Sequence, residues 1–368
     1  MSNLKLSTKT YSFQQLEEKY RGFLAPAFQI LVEGSNIQLE GMVLSNVKVS
    51  TSIQATADTF SFTVSNAFDF GKREFDSSWI NKYFSPTKSV EIKMGYVDRF
   101  ETVMEGIITK ISYEYPKNGH PSIHVTGMDL SFLMMRGKKI KSWSDKSYSE
   151  IVTEIGGDYS LKLDVDSCPK TNSHHVQNFK DNFNFIKGLA KEVNYDFSIV
   201  GRTLYFKKPL TQAASVIELE WGKHLHSFSA THDISQQVSK VHVYGTNHKS
   251  KEVYSGEAAQ INKLGSNAKT GADLMRSFGT NADDYNKEEL QSAEEAKLRA
   301  EAILNETAMN LVQGNGECIG LPEIQAGRYL KLAKLGRHLS QPYHILTVTH
   351  SIGKTGYTTS FTFRGNAI

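Results

Sequence analysis

The feature that most limits what this chain can fold into is a period-2 alternation of apolar and polar residues that recurs along it. Successive strand side chains point to opposite faces, so such runs describe strands with one buried face. Phe28, Ile30 and Val32 alternate after Pro26, then Phe60, Phe62 and Val64, then Val90, Ile92, Met94 and Tyr96. Ile107, Thr109, Ile111, Tyr113 and Tyr115 place a long strand's apolar face on odd positions. Asn118-Gly119 tolerates positive φ at a turn, and Ile123 and Val125 return as the partner strand. Residues 22–130 are therefore expected to form a mostly antiparallel β domain.

The period then lengthens. Ser147 to Ile155 is expected to be a short amphipathic helix facing Ile151, Val152 and Ile155 inward. Asp181 is a plausible N-cap for a second helix carrying Phe185, Ile186, Leu189, Ala190 and Val193. Phe197-Ser198-Ile199 and Leu204-Tyr205-Phe206 flank a turn at Gly201, so residues 131–209 read as an α+β insert. Strands resume with Ile217 and Leu219, Leu225 to Thr231, and Val241 and Val243. Residues 246–287 are polar, rich in Gly, Asn and Ser, and read as a loop. Glu288 to Val312 reads as one helix, about 38 Å long at ~1.5 Å per residue. Strands at Tyr329–Leu332, Ile345–His350 and Phe361–Phe363 close the chain.

The two β sections look duplicated. A shift of 238 carries Ile107, Thr109, Ile123, Val125 and Gly127 onto Ile345, Thr347, Phe361, Phe363 and Gly365.

Composition removes several function classes. With 39% hydrophobic and 22% charged residues, the 368-residue chain can bury the cores of two or three domains. A formal charge of +3 is far from the dense cationic footprint that phosphate neutralisation requires, so specific nucleic-acid recognition is not expected. No leader-like segment follows Met1, and the longest apolar runs, such as Phe132 to Met135, are too short for a membrane anchor. Cys168 and Cys318 lie in unrelated contexts and are expected to be free thiols of a protein made in the bacterial cytoplasm.

The candidate chemical motifs read as structure. Gly314 to Gly320 lacks the spacing of a dinucleotide loop and follows a helix pattern, so a helix C-cap and turn is expected there. Asp283, Asp284, Asn286, Glu288 and Glu289 lack the glycine and regular ligand spacing of a calcium loop. His174-His175, on a strand, would point to opposite faces; His242 and His248 have no cysteine pair or helical histidine spacing beside them. Asp158, Asp164, Asp166 and Glu192 could supply a glycosidase's carboxylates, but any chain of this size offers such choices. Loop tyrosines such as Tyr285 leave a sugar-binding face open. The reading is no catalytic residue, no cofactor and no metal.

Three stretches carry a family resemblance. One runs from Glu105-Gly106-Ile107-Ile108-Thr109-Lys110-Ile111 to Gly127-Met128-Asp129-Leu130. A second joins Ser149-Glu150-Ile151-Val152 to Asn182–Ala190 and the hairpin ending at Phe206. The third comprises Gly320-Leu321-Pro322, Ala326-Gly327, Gln341-Pro342-Tyr343, Val348-Thr349-His350 and Gly356–Thr359. In this order they resemble the phage late control D proteins, the baseplate hubs of contractile tails, and the N-terminal hub module of VgrG spike proteins. The sequence departs from VgrG in having no oligonucleotide-binding-like barrel or β-helical spike after the hub pattern.

The resemblance implies a mainly β fold with α+β insertions: two tail-tube-like antiparallel β-barrels in one chain, 22–130 and 210–245 with 314–368. It also implies an arm at 1–21, the insert at 131–209 and a loop-and-helix excursion at 246–313. The implied function is a homotrimeric baseplate hub, in a virion or tailocin-like particle, that adapts a six-fold tail tube to a three-fold spike. Its implied partners are itself, the tube protein, a separate trimeric spike protein and other baseplate proteins. A peptidoglycan hydrolase and a receptor-binding tail protein are the rivals. Gly106, Gly127, Gly327, Tyr343, His350 and Tyr357 are the residues expected to matter, at strand edges and turns.

Overall fold

The computed structural model describes residues 4–54, 56–168, 174–208, 214–247, 250–265, 269–279 and 282–368. The chain is mainly β. Thirteen strands form one sheet, numbered here in chain order: β1 Pro26–Val32, β2 Ser35–Asn36, β3 Leu44–Ser52, β4 Thr59–Val64, β5 Ser89–Tyr96, β6 Arg99–Glu114, β7 Ser122–Met128, β8 Glu218–Glu220, β9 Leu225–His232, β10 Val312–Ile319, β11 Tyr329–Ala333, β12 Pro342–Gly353 and β13 Gly356–Gly365. The order is β9-β10-β13-β12-β3-β4-β7-β6-β5-β1-β2, with β11 pairing β12 and β8 pairing β11. The two β sections meet where β12 lies antiparallel to β3, with Val348 opposite Thr51 and His350 opposite Val49.

The alternation decides the inner face. Ile30 and Val32 in β1, Phe60, Phe62 and Val64 in β4, and Val90, Ile92 and Met94 in β5 are buried in a core that also takes Ile217, Leu330, Ile345 and Phe363 from the second section. Burying each such side chain is worth about 1.5–3 kcal/mol. β6 departs from the odd-position reading. Bulges interrupt its pairing with β5 between Ile92 and Lys93 and its pairing with β7 between Ile108 and Lys110. The first extra residue moves the inward face to even positions, burying Met104 and Ile108. The second returns it to odd ones, so Ile111 packs on the core while Tyr113, on the same face near the strand's end, is exposed.

The bulges also correct the duplication register. In β6–β7, Ile108 faces Gly127 and Lys110 faces Thr126 across the irregularity. In β12–β13, Ile345 faces Phe363 and Thr347 faces Thr362 across another. The hairpins therefore superpose with spacings of 237 on the first strand and 236 on the second. A uniform shift of 238 would set buried Ile345 against half-buried Ile107.

The 131–209 segment has its own core of Ile151, Val152, Ile186, Leu189, Phe197 and Leu204. Its longer helices are Tyr148–Gly157, with Ser147 and Glu150 forming a capping box, and Asn182–Val193, after the short helix Ser131–Met134. Asp181 caps the latter by accepting from the Asn184 N–H at 2.8 Å. A third core holds Val241, Val243, Leu290, Ala296, Ala300 and Leu304.

Here the loop and long-helix reading is corrected. Strands Lys240–Thr246, Val253–Ala258 and Ala282–Glu289 form a small sheet, accompanied by the short helix Gly271–Arg276. The long helix is Ala293–Ala308, started by Ser292, whose hydroxyl accepts from the Glu295 N–H. It stops because Val312 must begin β10, opposite Gly365. Tertiary pairing overrides the helix-favouring composition.

Gly314 to Ile319 is consequently strand rather than helix cap, with Gly320 just beyond its end. Gly314 and Gly316 stand opposite Phe363 and Phe361, whose rings fill the space a β-carbon would need.

Candidate functional site: the seam between the two β sections

β12, β13 and the 320–328 loop bring His350, Tyr357 and Thr359 together inside the protein. His350 Nδ1 lies 3.1 Å from both the Thr359 Oγ1 and the Tyr357 hydroxyl, and Nε2 lies 3.2 Å from the Ile324 carbonyl. Burial drives the His350 pKa down to about 4, so the ring is neutral at physiological pH. Nε2–H then donates to Ile324, and Nδ1 accepts from a hydroxyl. Thr359 Oγ1 also accepts the Leu321 N–H at 2.9 Å.

Tyr357 carries the network across to the first section. Its ring centroid is 5.6 Å from that of Tyr96, whose hydroxyl donates to the Gly320 carbonyl at 2.9 Å. Tyr20 packs on Tyr96 at 5.5 Å and donates to Glu323 Oε1 at 2.7 Å. Lys19 Nζ bridges Glu323 Oε1 at 2.8 Å and Glu101 Oε1 at 2.6 Å. Burial and the Glu323 carboxylate push the Tyr20 hydroxyl pKa strongly upward. The sequence reading missed Lys19, Tyr20 and Glu323. Ser12 and Gln15, which form a capping box at the helix Phe13–Lys19, were the readable signal that the N-terminal segment is more than an arm. This segment is tied down, with Ser7 N–H donating to Gln325 Oε1 and Tyr11 N–H to the Val216 carbonyl.

Beside His350 is a cavity of about 30 Å³, room for one water, with Asp58 and Asp129 in its wall. Asp129 Oδ1 accepts from the Asp58 N–H at 3.1 Å and from the Ser131 hydroxyl at 2.5 Å, while Asp58 Oδ1 accepts from the Ser52 N–H at 2.8 Å. Burial lifts the Asp129 pKa to about 6, and burial plus the neighbouring Asp129 charge lifts that of Asp58 well above the usual range.

Of the six residues singled out, His350 and Tyr357 meet directly. Gly106 and Gly127 flank the Phe60 ring, where a β-carbon on either would strike backbone carbonyls as well. Tyr343 is buried against Phe363 and donates to the Leu339 carbonyl at 2.9 Å. Only Gly327, at φ +82°, occupies the expected kind of turn; the other five pack inside the sheet.

The remaining candidate groups are engaged structurally. Asp164 and Asp166 both pair with Lys207, and Glu192 pairs with Arg299. His174 is exposed and His175 buried, on opposite faces as a strand requires. His242 lies between Glu257 and Asp284, at 2.6 and 2.9 Å. His248 lies outside the described residues. Cys168 and Cys318 are buried free thiols. Among the described residues no cluster of three or more His, Cys, Asp or Glu converges as a metal site, and no helix is long and apolar enough to cross a membrane.

A family model described as the Alg8 N-terminal domain matches residues 24–354. The chain belongs to that family. No curated protein matches the sequence. The fold of this Alg8 N-terminal domain family member recurs in solved structures. The 43 kDa tail protein of prophage MuSo2 from Shewanella oneidensis superposes with a TM-score of 0.67 at 11% identity, covering 92% of this chain and 98% of that one. The tail protein from Neisseria meningitidis MC58 gives 0.67 at 11% identity, covering 92% and 96%. The E. coli c3393 protein, described as a type VI secretion component with structural similarity to T4 phage tail proteins gp27 and gp5, gives 0.56 at 13% identity, covering 92% and 77%. At these identities the likeness is one of fold.

Proposed function

We propose that this chain is a structural baseplate hub of a contractile phage tail or phage-like injection apparatus. In that role it is a homotrimer, adapting a six-fold tail tube to a three-fold, separately encoded spike, within a virion or tailocin-like particle. The observation that carries the reading is the fold shared with a prophage tail protein across 92% of this chain and 98% of that one. The late control D resemblance of the sequence points the same way. In this reading the two β sections, 22–130 and 210–245 with 314–368, are the two tube-like units, less the strand Lys240–Thr246, which belongs to the small separate sheet. The segments 131–209 and 246–313 face other baseplate proteins, and the chain catalyses nothing. Six-fold symmetry then comes from three copies of two similar units. The engaged seam supports the reading, because its buried, neutral His350 and hydrogen-bonded tyrosines suit a rigid joint.

Light scattering on the purified protein across a concentration series tests the proposal. A species near three times 41.2 kDa, with a ring in particle images, is expected. A monomer at every concentration, persisting with the spike protein added, would overturn it.

A further inference from the structure

A cleft of about 340 Å³ lies between the 131–209 segment, the helix Ala293–Ala308 and strands β11–β13. A second, of about 300 Å³, adjoins it and shares Asn194, Tyr195 and Arg364 in its wall. At the inner end of the first are two polar atoms without a hydrogen-bond partner among the described residues, His344 Nε2 and Arg364 Nε. His344 is 1% exposed and stacks on Tyr329 with centroids 4.9 Å apart. Asp196 Oδ2 is 3.8 Å from His344 Nε2, beyond hydrogen-bond reach. Leaving two such atoms unsatisfied costs about 1–3 kcal/mol each, so a ligand that pairs both gains what the fold forgoes.

The charges narrow the ligand. Arg364 Nη1 is already 2.9 Å from Glu306 Oε1. Burial, with the Arg364 charge beside it, drives the His344 pKa down to about 3, so the ring is neutral. The Gly327 backbone accepts from the ring's other nitrogen, which leaves Nε2 a bare acceptor. Asp196 is half-buried, and desolvation raises its pKa to about 6, with Arg364 opposing the rise and Glu306 adding to it. At the His344 end an anionic ligand would meet the carboxyls of Asp196 and Glu306, with Arg364 already paired to Glu306; Lys187, Lys191 and Lys208 also line the two clefts, but as exposed side chains. The open valences are one acceptor and one donor, which is the complement of an uncharged amide.

We propose that this cleft binds an amide group of a partner polypeptide, a main-chain peptide unit or a carboxamide side chain, whose N–H meets His344 Nε2 and whose carbonyl meets Arg364 Nε. The volume accommodates a short extended segment. The inference goes beyond the hub reading and stands whatever the oligomeric state.

The test uses the full chain labelled with ¹⁵N-histidine, titrated with N-acetylglycine N′-methylamide as an uncharged peptide mimic and with acetate as the charged comparison. A saturable shift of the His344 Nε2 resonance is expected with the amide and not with acetate. His344→Phe keeps the stack on Tyr329 but loses the acceptor. It should weaken binding, followed by saturation transfer to the probe, about tenfold, or about 1.4 kcal/mol. Arg364→Lys keeps a cation beside Glu306 without the Nε–H, should weaken binding similarly, and serves if His344→Phe does not fold. A resonance unmoved up to the solubility of the amide, an equal response to acetate, or undiminished binding in a folded variant would overturn the proposal.

Discussion

The hairpins β6–β7 and β12–β13 share a skeleton, including a bulge at the same place, yet fill it in opposite ways. In the first section Gly127 on β7 faces Phe60 on the neighbouring β4. At the equivalent place in the second, Phe363 on β13 faces Gly314 on the neighbouring β10. The aromatic ring and the empty position have changed strands. In both pairs the ring occupies the space that a β-carbon on the glycine would require. Cross-strand volume is thus held constant while its distribution is free, as expected where packing density, rather than residue identity at one position, is constrained. It is also a pattern that a duplicated unit can reach by compensating changes.

The comparison breaks most readily at the glycines. Gly127→Phe puts two rings where one fits and drives the new side chain against the Ile107 carbonyl. We expect a loss of several kcal/mol, enough to abolish folding of the β body, read as loss of soluble expression or of the cooperative melt. If volume is the main constraint, Phe60→Gly combined with Gly127→Phe, which copies the second hairpin's arrangement, recovers the part of that loss due to the rings, while the contact with the Ile107 carbonyl remains. A double variant no better than Gly127→Phe alone would mean the two hairpins are not interchangeable in this way.

The same hairpins mark what the sequence made legible. The alternations in β1, β4 and β5 predicted their buried faces, since each strand is uninterrupted where its apolar residues lie. β6 misled because its bulges are set by pairing partners and no residue in the strand announces them. The strand Val253–Ala258 was invisible for a different reason. Its inward positions include Gly256, where a β-carbon would strike the Lys297 backbone of the long helix, so close packing has removed the apolar signal. His350, Tyr357 and Thr359 were readable as members of a recurring motif in one hairpin, but Tyr96, Tyr20 and Glu323 come from other segments that only the β3–β12 pairing and the docked N-terminal helix bring near.

The hairpins also differ in the titrating group that each contributes to the seam, and the two groups have opposite signs. His350 stays neutral in the fold to about pH 4, against about 6.5 unfolded. As pH falls through that window the unfolded chain takes the proton first, so stability is lost, by about 3 kcal/mol at the lower end. Asp129, just after β7, titrates near 6 in the fold against about 3.9 unfolded. Here the folded state takes the proton first, so stability is gained as pH falls from about 6 towards 4. The contributions offset each other. Asp129→Asn should therefore raise stability at pH 7 by up to about 3 kcal/mol and make the decline below pH 6 steeper, measured by urea melts across pH 4–8. An unchanged pH slope would remove Asp129 from the balance.

The smallest expected effect is the sharpest test, because one substitution can be made in both hairpins. Tyr357 lies inside the seam with its hydroxyl 3.1 Å from His350 Nδ1, whereas Tyr113, towards the open end of β6, is 45% exposed. Removing the Tyr357 hydroxyl leaves His350 Nδ1 with Thr359 alone and an unfilled gap, so Tyr357→Phe should cost about 1–2 kcal/mol in a denaturant melt. Tyr113→Phe removes a hydroxyl that water replaces and keeps the ring packed 5.2 Å from Phe75, so it should stay within about 0.5 kcal/mol of the parent. Equal costs would mean that burial fails to distinguish the hairpins. A cost confined to Tyr357 would assign them different work on one skeleton: β12–β13 locks the two sections together, and the outer end of β6–β7 remains free to meet something else.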